Sequence, residues 1–358
     1  MALLNEYFLE LPSDDLFSGV AKKINTFKVL HPHAELIDLG LNDVARPIPQ
    51  FVAEAMHKAV DAMTTLTKIH GNSPGQCYDL LREEIIKNDF NTRGIHLIPN
   101  EVFINDGVKN EIGNIGDLLR SDNTIGVIDP IYPIYIESNV ISGRAGIFNQ
   151  GRWSNVSYLN CNESNGFTPM PPNFPIDIVY LCSPNNPTGA AYSKGQLKKW
   201  VDYAIKNNTL ILFDASYEAY IHAPDIPHSI YEIRGAKKVA IEIRKLPRGA
   251  GFSELKCGYT VIPKELVIQS LEGTEIQMNA LWNRRQRIRC NGASYVTQCA
   301  ATATYSETGQ KQMHQTIEYY MDNVRRMRRI LGQLNLKIYG GEHIPYLWIK
   351  IPKESSSW

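Results

Sequence analysis

Alternation of strand-like and helix-like segments predicts an α/β protein built on a mostly parallel sheet covered on both faces. Short β-rich runs recur at 35–39, 102–105, 124–128, 177–182, 210–214, 239–243 and 257–262. Amphipathic helical stretches lie between several of them, as crossovers between parallel strands require. Polar clusters follow the runs, at the strand ends where open α/β sheets place their ligands. At roughly 150 residues per domain, 358 residues suggest about two domains, or one large unit with an appendage. Hydrophobic residues make up 43% and charged residues 21%, enough for a sizeable core and unlike a disordered chain.

In chain order, the helices of the main layer are expected at 50–63, 78–89, 109–119 and 194–207. In the last, Leu197, Trp200, Val201, Ala204 and Ile205 recur at helical spacing behind Ser193, an N-cap residue. The C-terminal third differs. Residues 274–289 and 309–334 read as long helices, 337–339 and 346–350 as short strands, and 355–357 as the cap of another helix. A large domain is therefore expected over 47–290, and a smaller α/β domain from 1–46 with 291–358. The smaller domain is expected to be C-terminally incomplete, leaving an exposed sheet edge.

Composition narrows the function. Lys+Arg and Asp+Glu are 37 each, so the chain lacks the basic excess of a nucleic-acid binder. The clusters Arg284, Arg285, Arg287, Arg289 and Arg325, Arg326, Arg328, Arg329 read as solvated or ion-paired helix surface. No apolar run is long enough to span a membrane, and no secretory signal is seen at the N-terminus. Cys77, Cys161, Cys182, Cys257, Cys290 and Cys299 form no Cys-x-x-Cys pair, and the histidines show no metal-ligand spacing. The expectation is a cytoplasmic protein with no metal, no nucleic-acid partner and no membrane.

The strand ends carry the chemistry. Ser183-Pro184-Asn185-Asn186-Pro187-Thr188-Gly189 is a rigid turn after a buried strand. Leu210-Ile211-Leu212-Phe213-Asp214 ends an apolar strand on a carboxylate, followed by Tyr217. Alone, the first is also an ordinary Asn-Pro turn and the second a helix cap. Together, Asn186, Asp214 and Tyr217 resemble the ring site of pyridoxal phosphate enzymes. There a carboxylate keeps the pyridine nitrogen protonated so that the ring acts as an electron sink. On this reading Asp214 holds the ring nitrogen, Asn186 and Tyr217 bond its phenolic oxygen, and Tyr132 stacks on its face. Asp106-Gly107-Val108-Lys109 opens a helix after a strand, so the backbone N–H groups at Val108 and Lys109 suit a phosphate. Lys109 is equally readable as an exposed first-turn lysine.

Tyr7-Phe8-Leu9-Glu10-Leu11-Pro12, Asp129-Pro130-Ile131-Tyr132-Pro133, the Pro-Asn-Asn-Pro-Thr-Gly turn, 213–218, 226–233, 281–286 and Tyr339-Gly340-Gly341 extend the likeness over nearly the whole chain. The sequence resembles the LL-diaminopimelate aminotransferases, a branch of the fold-type I, class I/II aminotransferases. The resemblance implies the fold-type I transferase architecture, with a three-layer α/β/α large domain, and a homodimer with two sites at the subunit interface. It implies pyridoxal 5'-phosphate as cofactor, and amino-acid and 2-oxo-acid substrates. The implied reaction moves an amino group between the glutamate/2-oxoglutarate and LL-diaminopimelate/tetrahydrodipicolinate pairs of lysine biosynthesis. It also assigns Asn291, in Asn291-Gly292-Ala293-Ser294, to cofactor and substrate; from the residues alone Asn291 reads as a helix cap.

The chain departs from the pattern where the chemistry should be. Arg248 stands at the position of the Schiff-base lysine, and Lys245 and Pro247 replace two serines near the phosphate. Lys256 replaces a phosphate-binding arginine, and Asn72 a tyrosine that reaches the partner's phosphate. Asn42 replaces a glycine and Asp15 a tyrosine beside the substrate. A guanidinium stays protonated and is no nucleophile towards an aldehyde. Covalent attachment at 248 is thus not expected, and impaired or absent turnover follows. The rival reading is a pseudoenzyme that acts through dimer or partner binding. Lys245 is the nearest substitute amine.

Overall fold

The computed structural model describes residues 2–11, 16–37, 39, 46–65, 79–246, 255–289 and 292–351. Its N-terminal half contains α1 (Leu16–Leu30), α2 (Gln50–Thr65), α3 (Asp79–Ile85), β1 (Val102–Asn105), α4 (Val108–Ile115), β2 (Ile125–Asp129), α5 (Ile134–Ile141), β3 (Phe148–Asn149), β4 (Arg152–Trp153), β5 (Val156–Asn160) and β6 (Ile178–Cys182). Then follow α6 (Lys194–Asn207), β7 (Leu210–Asp214), β8 (Ala240–Leu246), β9 (Cys257–Val261), β10 (Val267–Gln269), β11 (Glu275–Gln277), α7 (Met278–Arg289), α8 (Tyr295–Ala303), α9 (Glu307–Gly332), β12 (Lys337–Gly340) and β13 (Leu347–Lys350).

The central sheet has seven strands in the order β1-β9-β8-β7-β6-β2-β5. β5, β2, β6, β7 and β8 pair in parallel, and β9 runs antiparallel to both β8 and β1. Every residue of β6 and β7 is buried, as expected of strands covered on both faces. Alternate side chains enter opposite cores. Val179, Leu181, Ile211 and Phe213 pack on one face with Trp200 of α6. Ile178, Tyr180, Leu210 and Leu212 pack on the other with Tyr135 of α5 and Trp282 of α7.

Local chemistry explains the helix ends. Ser193 accepts the Gln196 N–H at 3.3 Å, and the Gln196 side chain returns to the Ser193 N–H at 2.9 Å, a capping box that starts α6. Asn208, left-handed at φ 55, ends it. Other segments differ from the sequence expectation. Residues 34–37 form no strand, and Ile37 is exposed; the alternation there has no neighbour with which to build a ladder among the described residues. The helix expected from 274 starts at Met278, because Glu275–Gln277 pairs with β10 across a turn containing Gly273 at φ 77. α3 stops at Ile85 and widens into a π turn over Ile86–Phe90, and α4 tightens into a 3₁₀ turn over Gly116–Leu118.

The β12–β13 hairpin docks on the large layer through backbone. A Cβ on Gly189, at φ 74 in the Pro-Thr-Gly turn, would lie 2.8 Å from the Gly340 Cα. One on Gly340 would lie 2.6 Å from the Thr188 carbonyl oxygen. Gly189→Ala therefore meets both a disfavoured φ and immovable backbone, and is expected to cost about 2 kcal/mol. Denaturant unfolding measures it; a loss below about 0.5 kcal/mol would mean the turn and hairpin are not in this contact.

Candidate active site

The carboxyl ends of the parallel strands converge with the start of β9. Asp214, the last residue of β7, is buried. One of its carboxylate oxygens accepts the Tyr135 hydroxyl; the other accepts the Ser216 hydroxyl and, at 2.8 Å, the Ser216 N–H. Burial pushes the Asp214 pKa up, while the Ser216 and Tyr135 hydrogen bonds and the Lys245 charge oppose the rise. Asp214 pairs in register with Ile243, so Lys245, two residues on, emerges on the same face. Lys245 keeps contact with solvent, but the protein around it removes enough water to lower its pKa, against the pull of Asp214.

A row of register partners links this point to the helix at the edge. Lys245 pairs with Gly258, and Gly258 with Asn105. A Cβ at Gly258 would lie 2.6 Å from both the Asn105 Oδ1 and the Arg244 carbonyl oxygen, so no side chain fits there. Asn105 Oδ1 accepts the Gly107 N–H at 3.0 Å and fixes the turn into α4. Gly107, at φ 124, has open space where a Cβ would stand. The first N–H groups of α4, at Val108 and Lys109, have no acceptor within the helix, the arrangement that suits an anion. Behind the turn, the Asn105 Nδ2 donates to Thr260 at 3.0 Å, and the Thr260 hydroxyl donates to Glu111 at 2.6 Å.

Aromatic side chains close the other side. Tyr132 meets Tyr135 edge-on, with ring centroids 6.1 Å apart. Tyr217 is partly buried and its hydroxyl lies 2.7 Å from that of Tyr346. Asn186 is partly exposed in its turn, which is braced by Asn185 donating to the Thr188 hydroxyl at 2.8 Å. Beneath, on the opposite sheet face, Arg244 is held by Glu242 at 2.6 Å, by Glu218 at 3.4 Å and by the His228 carbonyl at 3.0 Å, and sits 4.7 Å over the Phe90 ring. His228 in turn meets Glu218 at 2.9 Å.

Val108 and Lys109 at the start of α4, with Tyr132, Asn186, Asp214, Tyr217 and Lys245 on loops or strand ends, thus lie at one edge of the sheet, and exposed Lys256 stands immediately before β9 at the same edge. Lys109 also lines a cavity of about 550 Å³ with Phe8, Ile134, Ser138 and Arg285. Asp15, Asn42, Asn72, Pro247, Arg248 and Asn291 lie outside the described residues. Sequence reasoning does not single out Tyr135, Glu111 or Tyr346, whose partners are distant in the chain.

The donor set fits pyridoxal phosphate. A carboxylate buried at a strand end calls for a cationic partner such as a pyridinium N–H, and the side-chain-free turn at Gly107 leaves room for a phosphate. Among the described residues no group of His, Cys, Asp and Glu is arranged to hold a metal ion, and no helix is long and apolar enough to cross a membrane.

Glu111 provides a pH test of this geometry. Burial raises its pKa to about 7, against hydrogen bonds from Thr260, Asn114 and Asn105 and the charge of Arg285. A group whose folded pKa is raised contributes stability below its unfolded pKa and loses it as pH rises through the folded value. Between about pH 4.5 and pH 7 the wild type should lose roughly 3 kcal/mol relative to Glu111→Gln. Paired denaturant curves at pH 4.5 and pH 8 check this; parallel curves would mean that Glu111 titrates normally.

The family model for class I and II aminotransferases matches residues 34–358. The LL-diaminopimelate aminotransferase of Bacteroides fragilis is 59% identical over 360 residues, covering 100% of this chain and 88% of the relative. That of Phocaeicola vulgatus is 58% identical, again over 100% and 88%. The solved L,L-diaminopimelate aminotransferase from Chlamydomonas reinhardtii superposes with a TM-score of 0.91 at 34% identity, covering 98% of this chain and 86% of that one. A Thermus thermophilus aspartate aminotransferase variant superposes at 0.77 with 18% identity, covering 96% and 83%, a likeness of fold.

Proposed function

Because the chain belongs to the class I and II aminotransferases and, within them, to the LL-diaminopimelate aminotransferases, we propose that its site takes pyridoxal phosphate and exchanges amino groups between LL-diaminopimelate and 2-oxoglutarate, with Arg248 limiting the rate. The observation that carries the binding half is the buried carboxylate of Asp214 at the end of β7, locked by Tyr135 and Ser216. Bound there, the cofactor supplies an electron sink for the amino acid's α-carbon.

The chain's own residues do the rest. Tyr135 and Ser216 fix the direction of the Asp214 carboxylate, and burial favours whichever partner offsets its charge. Tyr217 and Asn186 would hold the ring's phenolic oxygen, Tyr132 would cover a face, and the first N–H groups of α4 with Lys109, Lys245 and Lys256 would receive the phosphate. Lys256 contributes a point charge where the related enzymes' pattern has a two-pronged arginine. Asp15, Asn42 and Asn291 complete the substrate side in the proposal, and Asn72 belongs to the phosphate. A homodimer would bring Asn72 to the partner's site. Leu3, Leu4 and Leu9, exposed near the N-terminus, suit burial against a second copy. A cytoplasmic location suits buried thiols such as Cys161 and Cys182, neither of which is in a disulfide.

Arg248 sets the limit. An always-protonated guanidinium neither attacks an aldehyde nor moves a proton to and from the α-carbon. Proton transfer by a positioned side chain is worth typically 10²–10⁴-fold. That single residue also favours the second reading, a non-catalytic relative acting through the dimer surface.

A coupled assay with LL-diaminopimelate and 2-oxoglutarate separates the readings. Arg248→Lys is expected to turn over at least ~100-fold faster than the unaltered chain. Equal, rapid turnover by both would reject the limit at 248. Retention of pyridoxal phosphate by both with no turnover in either would select the non-catalytic reading.

A further inference from the structure

We propose that Tyr346 is a positioning residue of the candidate site, donating its hydroxyl proton to Tyr217 and so committing the Tyr217 proton to the oxygen of the bound pyridine ring. The proposal rests on the reading that Tyr217 faces that oxygen. It starts from two hydroxyls 2.7 Å apart, on rings that meet edge-on with centroids separated by 5.4 Å.

Each phenol has one proton to donate and lone pairs to accept. In the pair alone either hydroxyl can be the donor. An oxyanion on the far side of Tyr217 removes that freedom. Tyr217 must then donate outward, and its own oxygen is left to accept, which within the pair requires Tyr346 to donate inward. Hydrogen bonds in such a chain polarise one another, so the second tyrosine strengthens the first one's bond to the anion. Burial pushes the pKa of both phenols up, which keeps both protons in place at neutral pH.

The fold holds Tyr346 in position independently of Tyr217. It lies directly before β13, whose Leu347 pairs with Gly340. Gly340 abuts the Thr188 carbonyl, and Gly341 abuts Val324 of α9 and Leu347. Ile344, fully buried, packs against Gly189. The loop is therefore clamped between α9 and the turn that carries Asn186. Tyr346 brings the hairpin's position to the ring oxygen, whereas a phenylalanine there would fill the same space without the proton.

The test uses 4'-deoxypyridoxine 5'-phosphate, which has the ring oxygen and phosphate but no aldehyde, so no covalent attachment is involved. Ultraviolet absorbance gives the pH midpoint at which the bound ring oxygen ionises. Tyr346→Phe is expected to raise the midpoint by about half a unit to one unit, a threefold to tenfold loss in the ionisation constant. Tyr217→Phe should raise it at least as far, and Tyr346→Phe should add nothing in that background. Fluorotyrosine at position 346, a stronger donor of nearly the same size, should lower the midpoint, and this arm remains if the phenylalanine variant does not fold. An unmoved midpoint in Tyr346→Phe, or a shift that persists without the Tyr217 hydroxyl, overturns the proposal. No shift in Tyr217→Phe, or no binding of the probe, instead removes the underlying reading and the proposal with it.

Discussion

The antiparallel pairing of β9 between β8 and β1 is the constraint on which the candidate site depends. Because β9 runs against its neighbours, its beginning, not its end, reaches the edge where the parallel strands finish. Gly258 then falls between Lys245 and Asn105, and its missing side chain lets Asn105 reach the turn that aims α4. One residue on, Tyr259 faces the opposite side, pairs with Arg244 and donates to Asp89 at 2.6 Å. A single strand thus sets the spacing of the cation, the helix start and the ionic layer beneath them.

That spacing is held against an electrostatic cost. Asp214 and Glu111 are buried on one face, and Arg244, Glu242 and Glu218 on the other. Buried charges are expensive unless paired and hydrogen-bonded, and replacing such groups with apolar ones is often neutral or stabilising. Here each is tied to partners from a different element: Asp214 to α5, Glu111 to β9, Arg244 to the loop carrying His228. The arrangement fixes direction at the strand ends, the property by which a candidate site would orient a ligand.

Much of the frame was legible in the sequence because it follows local rules. The β7 run Leu210–Asp214 and the α6 run Lys194–Asn207 sit where their patterns put them, since full burial and a capping box are local signals. The class of the sheet and the family were legible for the same reason, through strand-end motifs. The misses are tertiary. Residues 35–37 alternate like a strand but have no ladder, and Glu275–Gln277 looks helical until β10 is beside it. Tyr135 and Tyr346 gain their roles only from partners distant in the chain.

The backbone contact between Gly189 and Gly340 bears on how such a chain can diverge. Most contacts between distant segments are negotiated by side chains, which can trade size across the boundary. This one has nothing to trade, because the smallest addition on either side meets main chain. A larger residue on either segment therefore requires the backbone of the other to move. The contact constrains the hairpin through the turn that presents Asn186, whatever chemistry the turn serves. The outline of a ligand site can in this way outlast its use.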